Sequence, residues 1–475
     1  MQADLSRLIF RPDKRFSAVV AQQGRLQLDS DSNEQVFIQL HQARTLAADL
    51  ISRRGGPAGS LGFGITFVPK GKAPADLTIT GGRYYVDGIL VDAARPTSAG
   101  PAEEESNVLS TDAEPSAPLD WTYWNQPDAY RDPERANDAD PLPDVPFLVY
   151  LKVTEQLVTF LQDPEIRETA LGAALPDTTA RVKVTWQVLP LTGLEVGERP
   201  DRDSMRAAFD EWVKATGSTA RLAVRTERPP KAEDDPCLAA PDSRYRGPEN
   251  QLYRVEVHRG GKLTDKPTPT SKGPTFTWSR ENASVVFGIS SIAKTVVTLT
   301  DQGRDGKLDL DIGDWVEIVD DAYLARGIPA PLLQVTDIDT ERLRVELSRE
   351  PQPEVGRLAA RHPFLRRWDH RAPSGRGAVK LDEGALPISE GGWLDLEDGL
   401  QVWFAKDGVY RAGDYWLVAA RTLSGDVEWP QDDRGRPLLR EPQGVRHHYA
   451  PLAWVRGAAI DDLRMEFTPQ AVSRP

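Results

Sequence analysis

The sequence predicts a mainly β, multidomain protein with minor α, in which short-stranded barrels or sandwiches follow an N-terminal α+β unit. Three observations carry this expectation. The chain has 475 residues, beyond the size at which a single hydrophobic core stops growing. Past residue 250, short β-favouring runs recur with turn residues between them, a spacing typical of barrels and sandwiches. Only a few segments repeat apolar residues at helical intervals.

In chain order, residues 16–20 and 25–28 read as short extended pieces broken at Gly24. A capping box of Ser32 and Gln35 then predicts a helix carrying Val36, Leu40, Ala43, Ala47 and Leu50, ended by Gly55, Gly56 and Pro57. Tyr84-Tyr85-Val86 and Ile89-Leu90-Val91 flank Asp87-Gly88, the strongest short-range signal for a hairpin, because a type I′ turn needs positive φ at both central residues. Together these define an N-terminal unit over residues 1–95. Residues 96–146 are Pro-rich and acidic, a linker or Ω-like loop, yet hold Trp121, Tyr123, Trp124 and Tyr130. Rings of that size normally bury large area, so part of the segment is expected to pack on a domain or a partner.

A β-rich domain is expected over 147–300. Residues 147–153 and the alternating Val182, Val184, Trp186 and Val188 read as strands around a short helix starting at Asp163-Pro164. A second helix carries Met205, Phe209, Trp212 and Val213 on one stripe, within an insertion over 192–240. Further strands are expected at 252–257, 275–279, 285–289, 295–300, 315–319, 343–347, 400–404 and 416–420. They divide into a small barrel-like domain over 301–360 and a C-terminal β domain over 361–475. No fixed-period repeat supports a propeller or solenoid.

Asp and Glu number 72 against 58 Lys and Arg, a net charge of −14, with a pI near 5.1. Such a chain repels a phosphate backbone, so nucleic acid is a poor partner. The single cysteine, Cys237, excludes an intrachain disulfide and a zinc site built from cysteines of one chain. No signal-peptide stretch opens the sequence and no eighteen apolar residues run together, so cytoplasmic synthesis without membrane insertion is expected. Asn282-Ala283-Ser284 matches the glycosylation pattern, by chance in a chain without a secretory signal.

A search for chemistry is mostly negative. The chain lacks a phosphate-cradling P-loop, a G-x-S-x-G elbow and an H-E-x-x-H helix, and no cofactor or catalytic residue is assigned. Residues 59–64 are glycine-rich with the wrong spacing for a dinucleotide turn. His447 and His448 point to opposite faces of an extended segment, so one metal cannot easily take both. Asp301, Asp305 and Asp309 sit at positions one, five and nine of a calcium-type loop with Gly306 at six. Gly303 and Ile312 stand where two oxygen ligands belong, and an acidic turn explains the same residues better. Glu397 and Asp398 lie near Trp393 and Trp403, the elements of a carbohydrate-processing cleft, but acidic turns at strand ends are the commoner origin of such a group.

Several segments together resemble one uncharacterised bacterial family that accompanies phage-tail-like contractile injection systems. They are Asp4-Leu5-Ser6-Arg7 with residues 16–35, residues 163–172, residues 245–256, residues 276–282, residues 365–369, and, near the end, residues 410–416, 428–430 and 447–452. The hairpin over 81–91 is similar to glycine-bounded hairpins of phage baseplate and fibre proteins. Ser30 and Ser32 depart from the Ala and Trp the family tends to have, and residues 96–146 and 192–240 are longer than expected.

The resemblance supplies no catalytic residue. It implies a structural part of an injection particle, in the baseplate, a fibre or an outer attachment, whose partners are other particle proteins and, in a homo-oligomer, further copies of itself. Trp121, Tyr123, Trp124, Trp403 and Tyr415 are the candidates for interface anchors, since interfaces rely on Trp, Tyr and Arg. A carbohydrate-binding or carbohydrate-active surface module, or an effector cargo, carried by such a particle are the alternatives.

Overall fold

The computed structural model describes residues 2–95, 120–135, 138–172, 176–197, 200–227, 244–263, 272–303, 306–372 and 380–468. It is mainly β and multidomain, as expected, with three α-helices among those residues. Cys237 and Asp305 lie outside the described residues.

Three β units share the chain. In the first, a four-stranded sheet runs in the order Ala459–Asp462, His447–Arg456, Phe147–Val158 and Arg181–Leu191. One face presents Phe147, Val149, Leu151, Val153, Trp186 and Val188 to a core completed by the hairpin and by the small sheet of Ile65–Val68, Asp76–Ile79 and Trp121–Thr122. The hairpin forms as expected: Arg83–Val86 pairs with Ile89–Asp92, and Asp87 and Gly88 take φ of 48° and 77°. Gly88 meets a second demand, since a Cβ there would lie 2.2 Å from the Arg44 carbonyl oxygen. That close approach seats the hairpin turn against helix α1 (Asp29–Ile51).

Helix α1 starts three residues before the capping box expected at Ser32. Asp29 accepts from the Ser6 backbone N–H at 3.0 Å and Asp31 from the Leu28 N–H at 3.2 Å, which satisfies the chain where it enters the helix. Gln35 instead accepts from the Val19 N–H at 2.7 Å. The helix ends at Ile51, and Gly55, Gly56 and Pro57 belong to the strand Arg54–Pro57. Residues 16–20 and 25–28, expected as short extended pieces, form no strand and pair with none among the described residues.

Strands Phe147–Val158 and Arg181–Leu191 pair directly and antiparallel. Their connection holds two 3₁₀ turns, Pro164–Ile166 and Thr169–Leu171, in place of the single short helix expected. Helix α2 (Arg202–Ala215) covers part of the sheet's other face, with Met205 and Phe209 against Leu148, Tyr150 and Trp454.

The second unit packs a five-stranded sheet, in the order Leu386–Pro387, Thr275–Ser279, Gln251–Arg259, Tyr415–Arg421 and Asp426–Glu428, against the three strands Trp393–Asp395, Leu400–Phe404 and Leu222–Thr226. The third is a closed six-stranded barrel of Val286–Ala293, Val296–Leu299, Arg344–Leu347, Leu332–Asp339, Trp315–Val319 and Phe364–Trp368. Within it, helix α3 (Asp321–Arg326) is capped by Asp320, which accepts from the Tyr323 N–H.

These units correct the contiguous domains expected from sequence. The barrel is present but spans 286–368 rather than 301–360. Residues 361–475 form no domain of their own: Phe364–Trp368 closes the barrel, Tyr415–Arg421 joins the second unit, and His447–Arg456 is an inner strand of the first. The stretch 192–240 is likewise divided, since α2 packs on the first unit and Leu222–Thr226 pairs in the second. Alternation in a sequence marks a strand and its buried face, but the partner strand is chosen by complementarity that local pattern does not contain.

The part of 96–146 that is described packs on the body. Asp138 is buried and accepts from Arg326 at 2.6 Å and Arg361 at 2.7 Å, which ties this segment to the barrel.

Candidate functional site

The face of the first sheet that carries α2 changes character along its length. In Phe147–Val158 the alternate residues on that face run Leu148, Tyr150, Lys152, Thr154, and in Arg181–Leu191 they run Leu191, Leu189, Gln187, Thr185. The apolar ends lie under α2. The polar ends, joined by His447 opposite Thr154, line a cavity of about 880 Å³ where the three β units meet. Strand Gln251–Arg259 contributes Arg254, Glu256 and His258, the barrel exterior contributes Glu317 and Arg366, and α1 with the preceding arm adds Phe10, Phe37, His41 and Arg44. Phe10 is held between Phe37 and His41, with ring centroids 6.2 and 5.8 Å apart.

Most charges in this wall are neutralised in place. Arg366 pairs with Glu317 at 2.7 Å across two barrel strands, both side chains being buried. Arg44 holds Glu155 at 2.5 Å and Arg254 holds Glu256 at 2.5 Å, while the Arg254 guanidinium lies 3.6 Å from the Tyr415 ring centroid. Lys152 forms no ion pair, and burial, with Arg411 nearby, lowers its ammonium pKa. Beside it, burial first and the positive charges of Lys152, Arg411 and His448 second hold His447 down to about 3, so its imidazole is neutral at pH 7. His447 Nδ1 bonds the Thr154 hydroxyl at 2.9 Å. His448 points the other way, to Asp87 at 2.8 Å, as adjacent residues of a strand must. Four of the six histidines of the chain line this cavity. The sequence reading missed Lys152 and His447 as a site; the apolar-to-polar switch at alternate positions of 147–158 was the available signal.

Two of the five expected interface anchors, Tyr123 and Tyr415, are core, and Trp121 and Trp124 are partly buried against it. Tyr123 is fully buried and donates to the Asp140 carbonyl at 2.8 Å, and the indoles of Trp121 and Trp124 donate to the Ala93 and Ala75 carbonyls at 3.0 Å. Tyr415 is buried beneath Arg254. Local sequence shows a large ring but not which wall covers it: Tyr123 and Tyr415 present no surface to a partner, while Trp121 and Trp124 remain partly exposed. Trp403 is half-buried opposite Trp393 in the second unit, ring centroids 5.4 Å apart, with the Arg225 guanidinium 4.2 Å from the Trp393 centroid.

Asp301 accepts from the Thr300 hydroxyl and Asp309 from the Leu310 N–H, while Arg367 donates to the carbonyls of Lys307 and Asp309. A guanidinium thus occupies backbone oxygens that a calcium ion would need, and among the described residues no group of His, Cys, Asp and Glu is placed to hold a metal. Glu397 accepts from Arg280 at 2.7 and 2.6 Å and from the Tyr253 hydroxyl at 2.8 Å, which makes it a structural anion. Asp398 sits at φ 47° in the turn, its carboxyl pKa raised by burial and by Glu397.

A family profile, described as a family of unknown function (DUF6519), matches residues 1–225 and 202–462. The chain belongs to that family. The two matches run from the N-terminal arm through all three β units, so the family is defined over the whole assembly. Comparison with curated proteins and with solved structures returns no significant match. No helix among the described residues is long and apolar enough to cross a membrane.

Proposed function

We propose that the chain is a structural, non-enzymatic component of a phage-tail-like contractile injection particle, fixed in a baseplate, fibre or outer attachment by its N-terminal arm. The arm is the observation that carries this reading. Residues 11–28 are exposed except for the half-buried Val19, although they include Phe16, Val20, Leu26 and Leu28, the last three 81%, 91% and 48% exposed. Residues 16–20 and 25–28 flank a turn closed by the Arg25 N–H on the Gln22 carbonyl, and their backbone joins no sheet of the described residues. An exposed segment with apolar side chains, whose backbone lies outside every sheet of the described residues, is suited to strand addition on a neighbouring protein. Helix α1 extends the same surface: of its 23 residues only Ser30 and Ile38 are buried, and Val36, Leu46 and Leu50 are exposed. Residues 16–28 of the arm also lie within residues 16–35, one of the segments that resemble the injection-system family.

The test is co-sedimentation. A tagged copy in its native host should pellet with tail-like particles after ultracentrifugation and resist high salt. Replacing Phe16, Val20 and Leu26 together by Asp should release it into the light fraction. Its thermal midpoint should stay nearly unchanged, because exposed positions contribute within about 0.5 kcal/mol each. Wild-type protein found only in the light fraction while particles pellet would overturn the reading, and glycan binding would then be the next property to measure.

A further inference from the structure

The central cavity is electropositive within an acidic chain. Seven Lys and Arg but five Asp and Glu line it, against a net charge of −14 for the whole protein. Five pairings absorb the carboxylates: Arg11 with Asp13, Arg44 with Glu155, Arg254 with Glu256, Arg366 with Glu317, and Arg53, from outside the lining, with Asp87. Lys152, Arg440 and Arg446 are left without an ion pair. Arg440 and Arg446 are exposed, marking where the cavity opens, whereas Lys152 lies on the inner strand of the first sheet between Gln187 and Tyr449.

We propose that this cavity binds a small anionic molecule, whose phosphate or carboxylate group is held at Lys152 and whose approach is favoured by Arg440 and Arg446. A partly desolvated ammonium with no counter-ion is costly, and an entering anion is the species that relieves the cost. Around Lys152, the hydroxyls of Thr154 and Thr185, the Gln187 amide and the neutral imidazole of His447 form a polar, uncharged patch on one sheet face, held in place as Thr185 donates to the Thr154 carbonyl, Gln187 to the Asp128 and Ala325 carbonyls, and Thr154 bonds His447. They add no negative charge, which leaves the Lys152 ammonium as the group that an anion meets. The volume, about 880 Å³, is that of a pocket for a whole small molecule rather than a single ion. The apolar side chains of Phe10, Phe37, Val286 and Phe364 would cover the remainder of its body. This inference is independent of the particle reading, since it concerns the interior of one chain.

Inorganic phosphate, citrate and, as a neutral control, glucose are the probes, read by calorimetric titration and by the thermal midpoint of the full chain. Phosphate or citrate, but not glucose, should bind and raise the midpoint with increasing concentration. The stronger of the two identifies the anionic group. Lys152→Met should weaken that binding by about tenfold or more, the effect of losing a charge-assisted hydrogen bond, and Lys152→Arg should retain it. Arg440→Gln with Arg446→Gln, at exposed positions that leave folding intact, should weaken binding more at low salt than at high salt. The proposal falls if neither anion binds wild-type protein at millimolar concentration. It falls equally if the exposed double variant binds as wild type does at every salt concentration.

Discussion

His370 shows how one side chain couples stability to pH. It is fully buried, stacked on Trp315 at 10° with centroids 6.3 Å apart, and bonds the Gly384 carbonyl through Nε2 at 2.6 Å. A carbonyl only accepts, so Nε2 carries a proton, and Nδ1, buried without a partner, is left unprotonated in a neutral ring. Burial holds its pKa down to about 4, outweighing the Gly384 bond; His258 and Arg371 act in the same direction and Asp369 against them. A group with a lowered folded pKa contributes stability that is complete above its unfolded value, near 6.5, and is lost as pH falls through about 4. His370→Gln should therefore be less stable than wild type at pH 7. The gap in unfolding free energy should narrow by up to about 3 kcal/mol between pH 6.5 and 4. Denaturant titrations across that window check this, and a gap constant with pH would show that the imidazole does not stay neutral in the fold.

At the scale of elements, the barrel depends on pairing that includes charge. Strands Trp315–Val319 and Phe364–Trp368 set Glu317 opposite Arg366, on the wall that faces the cavity. Both side chains are buried, so removing one leaves the other as an uncompensated charge. Glu317→Leu alone should cost about 3–5 kcal/mol, while Glu317→Leu with Arg366→Met should cost much less, because two apolar groups replace a pair whose desolvation offsets its attraction. A double-mutant cycle on urea midpoints measures the difference. Additive costs would mean that the pair is solvated in solution. Helix α2 is the opposite kind of element, legible from its stripe: Met205 and Phe209 are buried where periodicity placed them. Helix α1 was legible as a helix but not in its start, because Ser6 and Asp29 are brought together by the arm rather than by a local motif.

For the whole molecule, the chain returns to where it began. His447–Arg456 is inserted beside Phe147–Val158, and Glu466–Phe467 pairs in parallel with Arg54–Pro57. The first unit therefore lacks an inner strand until the last thirty or so residues are present. A chain ended at residue 440 should lose the first unit's core, exposing Leu151, Val153 and Val188, and should be recovered as aggregate or as a species with a broadened, less cooperative transition. Adding back residues 441–475 as a separate peptide should restore a cooperative transition. A truncated chain that melts like wild type would show that the C-terminal strand is dispensable.

By itself the sequence determined the mainly β class, eight of the later strands, the Asp87-Gly88 hairpin and the α2 stripe. Each is written in residues adjacent or periodically spaced along the chain: positive φ needs Gly or Asp at the turn, and burial on one face needs an apolar residue at every second or every third to fourth position. The same local pattern showed Tyr123 and Tyr415 to be large aromatic residues and His447 and His448 to face opposite sides. Only the tertiary structure decided that Tyr123 and Tyr415 are enclosed and Trp121 and Trp124 partly so, that Lys152 and His447 meet in a cavity, and that residues 361–468 are shared among three units. Those outcomes depend on which distant strands pair, and pairing is selected by the fit of whole faces rather than by any one segment.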